Sequence, residues 1–236
     1  MTRLTAGRLL RESISRRPIQ SFIGVYDVFS ATLAAKQFDG LFVSGFGLAA
    51  SYHGLPDVGF VTWSDVVEFV QRLRVVLPEQ HIVVDIDDGY GDPEVAAHVV
   101  TVLERAGASA VVLEDQRRPR RCGHVGGKQI LELDEYLAKL HRVLEARREL
   151  VVVARTDATD DAERIRRACA FDDAGADAVL VDGIERLDLL RLIASRIDKP
   201  LMFNQIAGGK SPRCSLSELS ELGVSLVNYS TPCLFA

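Results

Sequence analysis

The sequence has 236 residues and only four cysteines, Cys122, Cys169, Cys214 and Cys233, which are widely spaced and form no CxxC pair. That argues against a structural zinc site and against a disulfide framework, and makes a reducing, cytoplasmic setting the natural expectation. There is no excess of positive charge. The formal net charge is -5, so no broad basic surface is available to nucleic acid or anionic lipid. No apolar run is long enough to cross a bilayer, and no membrane partner is expected. The opening stretch "MTRLTAGRLLRESISRRPIQ" has arginines scattered through it and lacks an apolar signal core. It reads as an amphipathic helix over about residues 5–16 rather than a targeting segment. A GxGxxG after the first strand and a Walker A sequence are also missing, which weakens a nucleotide-binding reading.

What is present is a regular alternation. The composition, 47% hydrophobic and 26% charged, is that of a globular protein with a sizeable core. Short runs rich in β-branched residues recur: "SFIGV", "GLFVS", "HIVVDI", "SAVVLE", "LVVVAR", "DAVLVD", "PLMFN" and "SLVNY". Helical patterns lie between most of them, as over 64–77, 93–106, 134–147, 160–174 and 186–197. Strands that are apolar throughout and alternate with helices indicate parallel strands buried on both faces. "ERAGASAVVLED" and "DDAGADAVLVDG" both end a helix at Gly and step into a strand, the usual helix-to-strand connection. About eight such units favour a single-domain (β/α)8 barrel over residues 1–236, with an open doubly wound sheet as the alternative. The sequence stops at "NYSTPCLFA", just after the last expected strand, so the barrel is expected to lack its eighth helix, or to have that side covered by a partner chain.

In a parallel barrel the chemistry sits where strands end. Those positions hold Tyr26 and Asp27, Ser44 and Gly45, Asp85 and Asp87, Glu114 and Asp115, Arg155 and Asp157, Asp182, and Asn204. So many polar strand ends are hard to explain as packing. Asp85 and Asp87 are two apart, so on a strand both side chains point the same way. Two carboxylates on one face with no His or Cys nearby suit a hard divalent cation. The competing reading is helix capping or pairing with Arg155, and for Asp88 and Asp92 capping is preferred. After strand four comes a long loop, about 115–130, "EDQRRPRRCGHVGGKQ" with the preceding Glu114. Its arginines would draw an anionic substrate, although Arg117 and Arg118 equally suit a solvated surface. Loops of this kind close over substrate. Among these basic neighbours Cys122 is placed to act as acid, base or nucleophile. Cys169 reads as core, Cys214 and Cys233 as structural, and His53, His81, His98 and His141 carry no assigned role.

Several motifs, in order and correctly spaced, resemble the isocitrate lyase/phosphoenolpyruvate mutase superfamily from about "GVYDVFSATLA" onward. They are "FVSGFG", "GLPDVG", "DIDDGYG", "LEDQ", "RRCGH", "ARTDA" and "NQIAGGKSP". The resemblance implies a (β/α)8 barrel with Mg2+, or Mn2+, held through Asp85 and Asp87 and supported by Asp57 and Glu114. It implies that Ser44, Gly45 and Phe46 bind a substrate carboxylate or oxyanion, with Arg155 holding the oxygen on which charge develops. Cys122 would be the general acid and His124 its neighbour or a substrate contact. Tyr26, Arg120, Gly123, Asp182 and Asn204 complete the expected substrate-binding set. A small anionic oxoacid or hydroxyacid would be the substrate, and a homo-oligomer, dimer or tetramer, the assembly.

The sequence also departs from the family pattern. Arg120 stands where the lid usually has Lys, Asp182 where Glu is usual, Ala207 where "NMVEGGKTP" has Glu, and Asp88 where Thr is usual. "YSTP" replaces "YPLS", and the following helices, one of them swapped between subunits in the family, are absent. These changes cluster around the pocket. The resemblance therefore implies a Mg2+-dependent lyase that cleaves a carbon–carbon bond of a small 2-hydroxy di- or tricarboxylate. Its alternatives are phosphonate P–C bond chemistry, by a mutase or hydrolase, or a catalytically weakened homologue.

Overall fold

The computed structural model describes residues 4–121 and 126–235. Eight parallel strands close into a barrel in sequence order: β1 Gln20–Val25, β2 Gly40–Val43, β3 His81–Asp85, β4 Ala110–Glu114, β5 Val151–Thr156, β6 Ala178–Val181, β7 Leu201–Asn204 and β8 Val224–Tyr229. β8 pairs back onto β1, with Phe22 beside Asn228. Each run expected to be a strand is one, and the open-sheet alternative is excluded by this closure.

Helices follow the strands on the outside. They are α2 Val28–Ala34, α3 Gly45–Leu48, α4 Trp63–Val76, α5 Pro93–Ala106, α6 Leu133–Ala146, α7 Asp161–Asp173, α8 Leu187–Ala194 and α9 Leu216–Glu221. A π-helical turn, Ala49–His53, separates α3 from α4. The boundaries follow local chemistry. Thr62 and Asp65 form a capping box at α4, and Asp92 caps α5, accepting from the backbone N–H groups of Glu94 and Val95. Gly107, at φ 96°, ends α5 in the left-handed conformation that favours glycine. After β8 the described chain forms one further turn, α10 Pro232–Phe235.

The N-terminal helix α1, Ala6–Arg16, begins one residue later than expected because Thr5 is its cap. Its buried Leu10 joins one apolar cluster with Phe22, Phe42, Val83, Val112, Val153, Leu180, Met202 and Leu226. These alternate strand residues are the barrel's interior, and Leu10 closes its base. The intervening residues, such as Val84, Val111, Val152 and Val179, face the helices in a second, larger core. Strands buried on both faces therefore still carry a period of two.

Candidate active site

That period positions the site. In seven of the eight strands a polar residue stands two beyond the last inward apolar side chain, at the C-terminal mouth; in β1 Gly24 follows Phe22 instead. Val83 is followed by Asp85, Val112 by Glu114, Val153 by Arg155, Leu180 by Asp182, Met202 by Asn204, Leu226 by Asn228, and Phe42 by Ser44. All seven polar residues are buried. They surround or underlie a cavity of about 390 Å3 that Ser44, Phe46, Asp57, Asp85, Arg120, Arg155, Asp182 and Asn204 line. Its apolar wall comes from Phe42, Leu180, Ile206 and Phe235, with Ala207 beside them.

Arg155 is the centre of one network. Its guanidinium donates to both oxygens of Asp157, at 3.0 and 3.1 Å, and to Asp182 at 2.9 Å, and lies 3.4 Å from Glu114. Burial works against its charge, and Asp157, Asp182 and Glu114 more than offset that, so it stays protonated. Asp157 also takes a 2.8 Å contact from Lys128 and one from the Gln116 amide. Asp182 accepts from the Asn204 amide, whose oxygen in turn accepts from Ser230 and Asn228. The shorter Asp182 therefore still reaches the site.

Arg120 is the centre of the other. Only 2% of its side chain is exposed, and its three nitrogens meet Asp57, Asp87 and Glu114. Burial opposes its charge too, and Asp87, Glu114 and Asp57 hold it protonated. Asp85 and Asp87 are raised, Asp87 to about 8, chiefly by burial. Burial likewise raises Glu114 well above the usual carboxylate range.

Among the described residues, six carboxylates, of Asp57, Asp85, Asp87, Glu114, Asp157 and Asp182, thus share three cations, Arg120, Arg155 and Lys128. Burying unpaired charge is costly, so the shortfall calls for further positive charge or for protons. Asp87 Oδ1 and Glu114 Oε2 are buried and lie 3.1 Å from an Arg120 nitrogen and 3.4 Å from an Arg155 nitrogen, without the alignment of a hydrogen bond. A Cβ on Gly45 would lie 3.2 Å from Asp87 Oδ1 and 3.7 Å from Asp85 Oδ2, so both carboxylates border one small space. Oxygen donors of this kind fit a hard divalent cation. Among the described residues, however, no three acidic, His or Cys side chains are gathered for a metal ion. Asp57, Asp87 and Glu114 are gathered on Arg120 instead.

The structure changes several expectations. Asp87 shares the Asp85 space, but not by strand alternation. It lies beyond the end of β3, at φ 49°, and its backbone N–H donates to Asp85 Oδ1 at 3.1 Å. Asp92 is the expected cap, whereas Asp88 caps no helix: its carboxylate takes both Nε and Nη2 of Arg118, at 2.7 and 2.8 Å. Arg117 pairs with Glu135 on the surface. Asp115 is structural. It accepts from the Asp157 N–H and pairs with Arg167, and burial raises it to about 6. The Tyr26 hydroxyl donates to the Cys233 carbonyl at 3.0 Å, and Tyr26 does not line the cavity, because the C-terminal turn packs over it. Ser44 lines the cavity and also caps α3 through Gly47. Cys122, Gly123 and His124 lie outside the described residues.

Lys128, Asn228 and Ser230 were not among the expected site residues. The parity with Leu226 would have pointed to Asn228, but Lys128 carries no comparable signal, since its place depends on how the loop returns. That loop is closed at its neck by the Arg117 N–H to the Gln129 carbonyl and by Leu131 N–H to the Asp115 carbonyl, both at 2.8 Å.

A closed (β/α)8 barrel with a charged, partly apolar pocket at its C-terminal mouth is the frame of a small-molecule enzyme. The chain belongs to the phosphoenolpyruvate mutase/isocitrate lyase superfamily: the family model described as phosphoenolpyruvate phosphomutase matches residues 10–236. It is 36% identical over 219 residues to the petal death protein of Dianthus caryophyllus, covering 90% of this chain and 69% of that one. It is 34% identical to a 2-methylisocitrate lyase of Aeropyrum pernix, covering 94% and 73%. Among solved structures, oxaloacetate acetylhydrolase with the inhibitor 3,3-difluorooxalacetate superposes with a TM-score of 0.93 at 30% identity, over 98% of this chain and 82% of that one. For 2,3-dimethylmalate lyase the TM-score is 0.92 at 31% identity, over 97% and 79%. A phosphonopyruvate hydrolase complexed with oxalate and Mg++ gives 0.84 at 26%, over 96% and 81%.

Proposed function

We propose that the chain is a divalent-cation-dependent lyase that cleaves a carbon–carbon bond of a small 2-hydroxy di- or tricarboxylate. The observation that carries this reading is the buried Arg155 guanidinium at the cavity wall, held by Asp157 and Asp182 beside a surplus of carboxylates. Mg2+ is the favoured ion and Mn2+ an acceptable one. Asp85, Asp87, Asp57 and Glu114 would hold it, as the buried carboxylate oxygens without a hydrogen bond and the Gly45 space support. When bound, such an ion supplies Lewis-acid stabilisation of developing oxygen charge.

The chain's own residues supply the rest. Arg155, fixed by two carboxylates, offers its guanidinium to the oxygen on which charge develops, with no reorganisation at the moment of reaction. Ser44 and the backbone N–H groups of Gly45 and Phe46 orient a substrate carboxylate. The substrate hydroxyl passes its proton to one of the carboxylates lining the cavity, Asp57, Asp85 or Asp182, as its oxygen becomes the carbonyl of the oxoacid product. The electrons of the broken bond pass to the other fragment as an enolate, and the Cys122 thiol protonates its carbon, with His124 and Gly123 of the same loop as substrate contacts. Phe42, Leu180 and Ile206 keep water from the enolate.

A small anionic substrate suits the arginines, and cytoplasmic homo-oligomers are the working expectation. No described helix is long and apolar enough to cross a membrane. P–C bond chemistry is the second reading, favoured by the family model's own description and by "GGKSP". A weakened homologue is the third, motivated by Ala207 and by Arg120.

The test is incubation with 2-methylisocitrate, 2,3-dimethylmalate and oxaloacetate in the presence of Mg2+. Release of pyruvate from the first two, or of oxalate from oxaloacetate by hydrolysis, diminished by Cys122→Ser, is the expected outcome. No release, with no effect of Cys122→Ser on any activity, ends the lyase reading. Phosphorus NMR with phosphonopyruvate then distinguishes P–C chemistry from an inactive homologue.

A further inference from the structure

Asp88 is the departure in "DIDDGYG" for which the lyase reading has no use. It neither meets the cavity nor caps a helix, yet it is 4% exposed. It is held on every side. Its backbone carbonyl accepts from the buried Lys139 ammonium at 2.8 Å. One carboxylate oxygen accepts from the Tyr90 N–H, and both accept from Arg118 in a two-pronged pair. The surrounding turn is stiff and irregular, with Asp87, Gly89 and Tyr90 all at positive φ. Arg118 is two residues before Arg120, on the far side of Pro119. Fixing Arg118 therefore fixes where Arg120 can enter.

Arg120 enters the carboxylate cluster. Its guanidinium takes oxygens of Asp57, Asp87 and Glu114, three of the four side chains proposed to hold the cation. Its stem runs past Gly59, whose added Cβ would lie 3.9 Å from Arg120 Cγ. A planar guanidinium spread over three carboxylates uses oxygens that a divalent ion would need, more fully than a compact lysine ammonium would.

We propose that Asp88 is a positioning residue. Through its pair with Arg118 it seats Arg120 among Asp57, Asp87 and Glu114, and so sets how strongly this internal cation competes with a divalent ion. The inference rests on the metal reading of those carboxylates. Loosening the Asp88–Arg118 pair lowers the effective concentration of Arg120 at the cluster, and the ion then binds more tightly.

The experiment is calorimetric titration of the full chain with Mg2+, without substrate and at fixed ionic strength. The variants are Arg120→Ala, Asp88→Asn, Arg118→Met and the double variant Asp88→Asn/Arg118→Met. Asp88→Asn keeps an oxygen for the Tyr90 N–H and so guards against misfolding, which thermal melts of every variant check. Arg120→Ala tightens Mg2+ binding about tenfold or more. Asp88→Asn and Arg118→Met each tighten it about fivefold, and the double variant is no tighter than either single, as for two residues acting through one contact. If only local charge mattered, losing Asp88 would weaken binding, losing Arg118 would tighten it, and the effects would add; that result overturns the proposal. So does an unchanged affinity in Arg120→Ala when the unaltered chain binds Mg2+. If neither the unaltered chain nor Arg120→Ala binds Mg2+, it is the metal reading that fails.

Discussion

Asp182, at the end of β6, reaches the Arg155 guanidinium at the end of β5 at 2.9 Å. The contact spans adjacent strands whose residues Arg155 and Leu180 are in register, and it leaves Asp182 one further oxygen for the Asn204 amide. Arg155 is in this way held from two sides before any substrate arrives. Replacing it by Lys keeps the charge and loses the fork. Turnover is expected to fall by about a hundredfold or more, the scale of removing one preorganised donor to a developing oxyanion. Replacing it by Met leaves buried carboxylates without their partner and should cost about 3–5 kcal/mol of stability. Steady-state kinetics of Arg155→Lys and denaturant unfolding of Arg155→Met check the two effects separately. A fully active Arg155→Lys would remove Arg155 from the oxyanion role.

Gly45 borders the space between Asp85 and Asp87, and its backbone is not in the left-handed region. Gly45→Ala should therefore fold normally while its methyl crowds the two carboxylates. We expect Mg2+ affinity to fall about tenfold or more, as for changes that disturb the orientation of metal ligands, with little change in the melting temperature. Equal loss of both would mean that the glycine serves packing alone.

Tyr26 offers its hydroxyl to the Cys233 carbonyl rather than to the cavity. Tyr26→Phe is expected to cost about 1 kcal/mol of stability, a typical single hydrogen bond, and to leave KM unchanged. A tenfold rise in KM would return Tyr26 to the substrate-binding set.

His81, the first residue of β3, has its pKa lowered from 6.5 by burial and by the nearby Arg74 and Arg17, which Asp39 only partly opposes. A depressed folded-state pKa means that protonation favours the unfolded chain. The stability this group supports is present above about pH 6.5 and is lost as pH falls toward its folded value. His81→Gln should thus lose less stability than the parent chain between pH 7.5 and 5.5. Denaturant midpoints of both proteins at the two pH values test this, and a constant gap would show that His81 does not titrate differently on folding.

Much of this molecule was legible in its sequence. Alternating apolar runs and helical patterns determined the eight strands and the barrel, because strands buried on both faces leave few other arrangements. The period of two carried polar residues from the filled interior to the mouth, so Asp85, Glu114, Arg155, Asp182 and Asn204 were identifiable from one-dimensional order. The same period holds Asn228, two beyond Leu226, whose apolar neighbours on β8 mask it in the sequence. What only the tertiary structure decided was the pairing of charges. Asp87 turns inward through a positive φ that no pattern announces. Asp88 looks like a cap and instead holds Arg118. Arg120, which reads as a lid residue near the substrate, is seated among the carboxylates expected to hold the ion. Local sequence sets periodicity and capping because those depend on neighbours along the chain. Which buried cation offsets which buried carboxylate depends on distances of about 3 Å between residues up to 63 positions apart, and these exist only once the barrel has closed.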